Sequence, residues 1–210
     1  MSRKRATDTD LAPRVIPVQE RAKATVGLIL DTTAALLDEV GVDAFTTNLL
    51  AERAAIRVRT IYRYFPNKLA VITALARRVM ELEAAALRFE PLADTRIAWR
   101  DAVDRISVAY SAAIEDLPGL AVIRRTVAAV PDLRRLDNEF NEALAADLAR
   151  ALAARGVRLP TTRLFAMGRL VIETATTIRD HARTEGRAYG DELVDEMRLM
   201  IRSYLANYLD

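Results

Sequence analysis

The sequence predicts an all-α protein of about nine helices, and three observations support this fold class. Ala, Leu, Arg and Glu, which are good helix formers, are abundant among the 210 residues, and only 7 Gly and 7 Pro are present. Apolar residues recur at helical spacing, whereas aromatic and β-branched clusters with the period of two typical of strands are missing. The Gly and Pro residues divide the chain into segments of helical length.

The N-terminal arm, residues 1–18, is polar, contains Pro13 and Pro17 and lacks periodicity, so we expect it to be disordered. A helix is predicted over residues 20–40 because apolar side chains recur there every three or four positions. Gly41 follows its last turn, where a glycine can adopt the left-handed backbone that ends a helix. The folded part is thus expected to begin with one long helix.

Residues 46–68 predict two short helices joined by a tight turn. The first helix covers about Thr47–Ala54, and a pair of threonines at its start supplies good N-cap residues. The turn is formed by residues 55–57, and the second helix covers about Val58–Tyr64, where a following proline ends it. Two short helices joined by a tight turn, with a third helix ahead of them, make a helix-turn-helix.

A longer fourth helix, about residues 68–88, follows Asn67, which is placed to cap its N-terminus. We expect the helix-turn-helix domain to end within this helix, near Leu75–Met80, which gives domains over residues 19–75 and 76–210. Regular Pro and Gly residues then predict five amphipathic helices in the second domain, at about residues 92–116, 120–129, 132–155, 161–184 and 190–209.

The composition excludes several classes of function. Without cysteine there are no disulfides, no thiolate zinc sites and no cysteine nucleophiles. The single histidine, His181, has no partners for a metal site or a catalytic triad, and no Gly-rich phosphate loop or paired-carboxylate grouping is found. A helical enzyme is therefore the weaker alternative, and neither a cofactor nor a metal is expected. No signal peptide and no membrane-spanning apolar run are found either, so we expect a cytoplasmic location.

The distribution of charge indicates a polyanionic partner. The net charge is only +2, but five basic residues and no acidic residue lie from Arg53 to Lys68. In a helix-turn-helix, the second short helix enters the major groove of double-stranded DNA while the first crosses the backbone. We therefore expect DNA contacts from residues on or beside these helices: Thr46, Thr47, Asn48, Arg57, Val58, Arg59, Thr60, Tyr62, Arg63, Tyr64 and Lys68.

The residue types in this set suit the contacts of a DNA reader. Arginine pairs bidentately with guanine, while hydroxyl groups and helix N-termini hold phosphates. Several alternatives stay open. Three arginines on a short helix are often only a solvated face, Tyr64 is equally suited to packing, and the basic residues 3–5 of the arm either contact DNA or form a simple tail. The residues predicted to be core are Ile56, Ile61 and Phe65.

The segment FTTNLLAERAAIRVRTIYRYFPNK, residues 45–68, resembles the N-terminal module of the TetR (tetracycline-repressor-like) family. The resemblance rests on the threonine-rich helix start, the turn region Leu50–Ile56, the signature Thr60–Phe65 and the lysine that follows it. It covers about residues 20–70, and further along the chain it extends only to length and helix number. This part of the sequence is thereby identified with a DNA-reading module.

Two positions depart from the family pattern. Ala55 stands where the turn usually has glycine, and a left-handed backbone at an alanine costs about 1 kcal/mol, so slight strain is expected. Arg57 stands where the second short helix often has a Ser or Thr N-cap. The cap is then weaker, and Arg57 is available to bind a phosphate instead.

The resemblance implies a ligand-responsive transcriptional regulator, most often a repressor that a small molecule releases from its operator. Family members act as homodimers, whose reading helices enter successive major grooves about 34–36 Å apart. Their last two helices, here residues 161–184 and 190–209, pair across the two-fold axis. Both carry more than one apolar stripe, as a helix between a core and a partner requires, although a central helix of a monomer has the same pattern.

The resemblance also implies a pocket for a small apolar or amphipathic ligand of unknown identity, walled by the fifth to the eighth predicted helix. The candidate lining residues are Trp99, Val103, Tyr110, Phe140, Met167 and Val171, with Arg169 and Glu173 as polar anchors. The alternative is a DNA-binding dimer without an effector. An enclosed apolar cavity of roughly a few hundred Å³ would favour the ligand-responsive protein, and a solid core would favour the alternative.

Overall fold

The computed structural model describes residues 11–15, 18–115 and 117–210, apart from the side chain of Ala128. These described residues form nine helices of seven residues or more and one single-turn helix, and they contain no strand. The helices are α1 (Glu20–Ala44), α2 (Thr47–Arg53), α3 (Val58–Tyr64), α4 (Lys68–Ala86), α5 (Glu90–Ala93), α6 (Trp99–Ile114), α7 (Leu120–Ala129), α8 (Pro131–Arg155), α9 (Thr161–Ala182) and α10 (Arg187–Leu209). The prediction of an all-α fold is confirmed.

The first of two compact units contains the described residues up to Val79 together with the segment Leu117–Leu133, so that α7 belongs with α1, α2 and α3. Complete burial of one large apolar side chain stabilises a fold by about 1.5–3 kcal/mol. Such burial holds helices as short as α2 and α3, which are unstable in isolation. The fully buried side chains of this unit include Ile29, Leu36, Leu37, Phe45, Leu50, Ile61, Phe65, Ile72 and Ile123.

The position of α7 in this unit differs from the predicted domain boundary, which assigned everything after residue 75 to the second domain. α7 packs against α1, and the N–H of Gly119, its N-cap residue, donates to a carboxylate oxygen of Asp38 at 3.0 Å. Gly119 has a φ of 77°, and a Cβ on it would lie 3.0 Å from the Cβ of Ala34. A contact between segments so distant in the chain leaves no periodic pattern, so the sequence did not reveal it.

The second unit contains Met80–Asp116 and Arg134–Asp210, with α5, α6, α8, α9 and α10. In α9, Gly168 lies directly against α8, since a Cβ there would overlap the carbonyl oxygen of Ala145. The backbones of the two helices therefore approach closely at this point. The core around the contact is apolar and includes Leu92, Ala102, Leu144, Leu148, Leu152, Leu164, Met167, Ile172 and Leu205.

A second glycine changes the predicted start of the last helix. α10 begins at Arg187, ahead of the predicted start at residue 190. Gly190 lies inside the helix and against α9, where a Cβ would be 2.5 Å from the carbonyl oxygen of Ala182. This glycine therefore permits a close helix contact and does not mark a helix boundary.

The helix predicted over residues 92–116 is divided into α5 and α6. Between them, Asp94 accepts hydrogen bonds from the backbone N–H and the guanidinium of Arg96, a local turn that competes with the helix. Arg155 of α8 fixes this turn from outside, because its guanidinium donates to the carbonyl oxygens of Leu92, Asp94 and Ile97. The remaining helix boundaries lie within a few residues of the predicted ones.

Candidate nucleic-acid interface and internal cavity

The helix-turn-helix is formed by α2 and α3. The side chain of Thr46 accepts a hydrogen bond from the backbone N–H of Leu49 at 3.1 Å, and so caps α2. Leu50 and Ile61 are completely buried and fix the two helices to the core of the first unit. α3 has no side-chain cap, because its N-cap residue is Arg57. The positions of α2 and α3 thus depend mainly on the buried apolar side chains that each helix packs into the core of the first unit.

The turn between α2 and α3 has a left-handed backbone at Ala55, whose φ is 51°. Among the described residues other than glycine, Ala55 alone has a positive φ. In this conformation a Cβ costs about 1–2 kcal/mol. The left-handed turn that the family pattern implied is therefore confirmed, with alanine in place of glycine. The turn closes because the N–H of Ile56 donates to the carbonyl oxygen of Ala51 at 3.0 Å.

Replacing Ala55 with glycine should raise the free energy of unfolding by about 0.5–1 kcal/mol. The relief of left-handed strain exceeds the backbone entropy that glycine adds to the unfolded chain. Thermal denaturation measures the change. The control is Ala35→Gly at an exposed position within α1, where glycine should lower the free energy of unfolding by about 1 kcal/mol. Equal losses at the two positions would show that Ala55 is not strained.

The outer surface of α3 is basic. Arg57, Arg59 and Arg63 are exposed, and the side chain of Tyr62 is 40% exposed. The hydroxyl oxygen of Tyr62 lies 3.1 Å from that of Thr47, so that hydroxyl groups from α2 and α3 stand side by side. Guanidinium and hydroxyl groups are the groups with which proteins bind the bases and phosphates of DNA.

The two other residues of the basic run make contacts within the protein. Arg53 donates to both carboxylate oxygens of Glu39 in α1, at 2.7 and 3.1 Å, and these hydrogen bonds hold the pKa of Glu39 below its usual value. The Nζ of Lys68 donates to the carbonyl oxygen of Val42 at 2.9 Å. Arg53 is also exposed, but Glu39 already pairs with it. The three exposed arginines on or beside α3 are therefore the stronger candidates for contact with an external partner.

Tyr64 is placed differently from the other predicted contact residues. Its side chain is 4% exposed, and the guanidinium carbon of Arg63 lies 5.7 Å from the centre of its ring. This burial agrees with the packing alternative. Ile61 and Phe65 are also buried, as core residues should be, whereas Ile56 is only half-buried.

Three further predicted contact residues are smaller side chains of the same two helices. Asn48 is exposed on α2, while Val58 and Thr60 are half-buried on α3. Val58 and Thr60 are next to arginines in the sequence and present methyl or hydroxyl groups, which suit contact with a thymine methyl group or a phosphate.

Arg14 lies at this surface and was missed by the sequence analysis. Its backbone N–H donates to the carbonyl oxygen of Tyr64 at 2.8 Å, and its Nη1 donates to that of Tyr62 at 3.1 Å. Arg14 thus binds carbonyl groups of the last turn of α3, which a helix leaves unpaired. The arm predicted as disordered is therefore anchored at Arg14, and residues 1–10, 16 and 17, with the basic residues 3–5, lie outside the described residues.

The second unit contains a cavity of about 90 Å³ with mainly apolar walls. Three of the predicted lining residues, Val103, Tyr110 and Val171, do line it. α10 also forms part of its wall, and α7 does not, whereas the predicted walls were the fifth to the eighth predicted helix. The lining residues that were missed include Leu87, Ile106, Leu148, Arg179, Arg198 and Ile201.

The other three predicted lining residues lie elsewhere. The indole N–H of Trp99 donates to a carboxylate oxygen of Asp210 at 2.9 Å, and the ring is buried in the core. Met167 is 2% exposed and also belongs to the core, and Phe140 is half-buried and does not line the cavity. Helical spacing predicts which face of a helix is buried, but not which buried residue borders a gap in the packing.

The two predicted polar anchors are not at the cavity either. Arg169 forms ion pairs with Glu173, at 2.8 Å, and with Glu142 of α8, at 2.9 Å. These charges therefore connect α8 and α9 on the outside of the packing.

No metal centre and no membrane span is found in the part of the chain that the structure describes. It contains no group of three or more His, Cys, Asp or Glu residues that could hold a metal ion. Within the same residues, no helix combines the length and the apolar character needed to cross a membrane.

Comparisons with known proteins cover both units. Residues 29–75 match the family model of "Bacterial regulatory proteins, tetR family", and residues 98–205 match that of "Tetracyclin repressor-like, C-terminal domain". A TetR-family transcriptional regulator from Streptomyces coelicolor, known from its crystal structure, is 31% identical, with a TM-score of 0.63. That match covers 88% of this chain and 99% of the other.

Relatives matched by sequence cover about a quarter of this chain. The transcriptional repressor KstR of Rhodococcus jostii is 42% identical over 57 residues, and the class A tetracycline repressor from Escherichia coli is 47% identical over 45 residues. The chain spans about a quarter of the length of these relatives, 27% for KstR and 21% for the tetracycline repressor, and the same shares of this chain are covered. The two family models and the Streptomyces structure extend the likeness to the whole fold, so the chain belongs to the TetR family of bacterial regulatory proteins.

Proposed function

We propose that the protein is a transcriptional repressor that binds an operator as a homodimer and is released from it by a small ligand. The observation that carries the proposal is the exposed basic surface of α3, where Arg57, Arg59 and Arg63 stand beside the hydroxyl groups of Tyr62 and Thr47. Its relatives KstR and the tetracycline repressor are named as repressors. Such a protein acts on DNA, and so would work in the cytoplasm of a bacterium.

The proposed DNA contacts are of two kinds: contacts to bases, which recognise the sequence, and contacts to phosphates, which position the protein on the DNA. Arg59 and Arg63 on α3 would reach base edges in the major groove, where arginine recognises guanine. Thr47 and Tyr62 would hold a phosphate between their two hydroxyl groups, and Arg57 would bind a second phosphate at the start of α3. Asn48, Val58, Thr60 and Lys68 are proposed as flanking contacts, and the cap formed by Thr46 keeps the N-terminus of α2 in place. Tyr64 is left out of the proposed surface because it is buried.

Homodimerisation through α9 and α10 is supported by apolar side chains that one chain leaves exposed. Phe165 and Leu170 of α9 are 38% and 52% exposed, and Leu199 and Met200 of α10 are 58% and 51% exposed. Large apolar side chains clustered on one pair of helices favour contact with a partner. TetR-family repressors bind operator DNA as dimers, and the proposed pairing would place two reading helices on one operator.

The cavity supports release by a ligand. Its volume of about 90 Å³ is smaller than the sequence analysis required of an effector site, but it is not the solid core that the alternative without an effector requires. A few polar groups converge on apolar walls, which is the usual character of a small-molecule site. The dimer would have two states, and in one of them the spacing of the two α3 helices would not fit the operator. A ligand that binds this state more tightly would increase its population, so that the protein dissociates from DNA.

Selection from random oligonucleotides tests the proposal. We expect the selected sequences to share two inverted half-sites with centres about 10–10.5 base pairs, or a multiple of this, apart. Light scattering of the free protein in dilute buffer should show twice the monomer mass. The proposal of a dimeric repressor would be wrong if no DNA sequence were enriched. It would also be wrong if the protein were monomeric and selected a single site without two half-sites.

A further inference from the structure

Two arginines lie together at one side of the cavity, and both donate hydrogen bonds to the same two serines of α6. The guanidinium of Arg179, in α9, donates to Ser111 at 3.2 Å and to Ser107 at 3.4 Å. Arg198, in α10, donates from Nε to Ser107 at 3.1 Å and from a terminal nitrogen to Ser111 at 3.5 Å. All but Ser111 belong to the cavity lining. Two cations from different helices are thus brought together over two neutral hydroxyl groups.

This arrangement is electrostatically incomplete. The guanidinium of Arg179 stacks over the ring of Tyr110, 4.8 Å from its centre, and burial lowers the pKa of Arg179, as does the nearby charge of Arg198. The carboxylate of Glu83 acts in the opposite direction but more weakly, and accepts a hydrogen bond from Tyr110. Arg198, whose side chain is 35% exposed, forms an ion pair with the exposed Asp195 at 2.9 Å. Burial of a positive charge is costly unless a negative group pairs with it, so Arg179, with the second cation of Arg198 beside it, suits an anion.

The rest of the cavity suits a hydrocarbon. Its walls away from the arginines are formed by aliphatic side chains of α6, α8, α9 and α10, and by residues next to α4 and in α5. An apolar tail that enters there gains free energy because its surface is buried. A tail larger than the cavity of about 90 Å³ would have to part the helices that wall it. The aliphatic wall includes Leu87, Leu92, Val103, Ile106, Leu148 and Ile201.

We propose that the effector is an amphipathic anion, with a carboxylate bound between Arg179 and Arg198 and an apolar tail in the aliphatic part of the cavity. This inference rests on the proposed function, in which the cavity is the effector site. Planar guanidinium groups match a carboxylate bidentately, and a carboxylate would take the positive charge that the serine hydroxyls do not neutralise. Ser107 and Ser111 are then positioning residues, which hold the two guanidinium groups at one place.

Titration calorimetry of the full-length protein without DNA tests the ligand class. The probes are octanoate and decanoate, each below its critical micelle concentration. Octanol and decanol, each below its solubility limit, are the neutral partners of equal chain length. A hydrogen bond to a charged group contributes about 1.5–3 kcal/mol, so the carboxylates should bind about 10–100 times more tightly than the alcohols. Equal affinity for acid and alcohol, or no binding of the acids, would overturn the proposal.

Variants locate the binding site of the carboxylate. Arg179→Gln and Arg198→Gln should each weaken decanoate binding at least tenfold and leave decanol binding unchanged, which also shows that the variants are folded. Arg187→Gln removes the same charge at an exposed position on α10 and should have no effect. Equal losses of decanoate binding in all three variants would mean that only net charge matters, and would refute the site.

Release of the selected operator separates this inference from the proposed function. If decanoate binds through the two arginines but leaves operator affinity unchanged, the anion site stands and the ligand-released repressor fails. If a neutral amphiphile releases the operator while the carboxylates do not bind, the repressor stands and the anion site fails.

Discussion

Replacing Arg59 with alanine should weaken binding to the selected operator by about 30-fold or more, and should abolish the preference for one base in each half-site. A bidentate arginine–guanine pair contributes about 1–3 kcal/mol of discrimination, and a homodimer loses two such pairs, which together amount to about 2–6 kcal/mol. Arg59 is exposed on α3, so its removal should leave the fold intact. Fluorescence anisotropy with labelled operator, and with each single-base variant of it, measures both effects.

The matched control is Arg125→Ala. Arg125 is exposed on α7, in the same compact unit, and its removal changes the net charge by the same amount. We expect operator binding close to that of the unchanged protein. A loss in Arg59→Ala that is uniform over all DNA sequences, with a salt dependence reduced by about one counterion for each side chain lost, would assign Arg59 to a phosphate and not to a base.

The features that could be predicted from the sequence are those that depend on neighbouring residues. The cap of Thr46 and the cap of Asn67, whose side chain accepts from the N–H of Ala70 at 2.8 Å, each depend on a few consecutive residues. The left-handed turn at Ala55 was implied by the resemblance to a family, whose members usually have glycine there. The resemblance to a family added their meaning, because the same turn in an unrelated protein would not imply DNA. The helix-turn-helix was therefore predictable almost residue by residue.

The features that could not be predicted depend on contacts between distant segments. Trp99 was predicted as a lining residue because it shares an apolar helix face with Val103 and Tyr110. Its indole N–H instead donates to Asp210, a partner 111 residues away. Arg179 and Arg198 were not predicted, because nothing in the sequence distinguishes them from the charged residues of a solvated face. The two arginines are neighbours only because α6, α9 and α10 pack together, and the residue pattern of a single helix does not predict that packing.

Replacing Gly168 with alanine should lower the free energy of unfolding by about 3 kcal/mol or more, at the upper end of the effects of overpacking. The added methyl group would overlap the carbonyl oxygen of Ala145, and its distance to the carbonyl carbon would be 3.1 Å. These are backbone atoms within α8, which cannot rotate away as a flexible side chain does. The helices α8 and α9 would have to separate, although alanine is the better helix former by about 1 kcal/mol.

Gly27→Ala is the control, since Gly27 also lies inside a helix, α1, but a Cβ there has no atom within 4 Å. It should raise the free energy of unfolding by up to about 1 kcal/mol. Thermal denaturation should then show the midpoint of Gly168→Ala lower by about 6–12 °C and that of Gly27→Ala unchanged or slightly higher. Because Leu148 of α8 and Val171 of α9 both line the cavity, separation of these helices should also weaken decanoate binding. Equal stability of the two variants would show that α8 and α9 are not in backbone contact at Gly168.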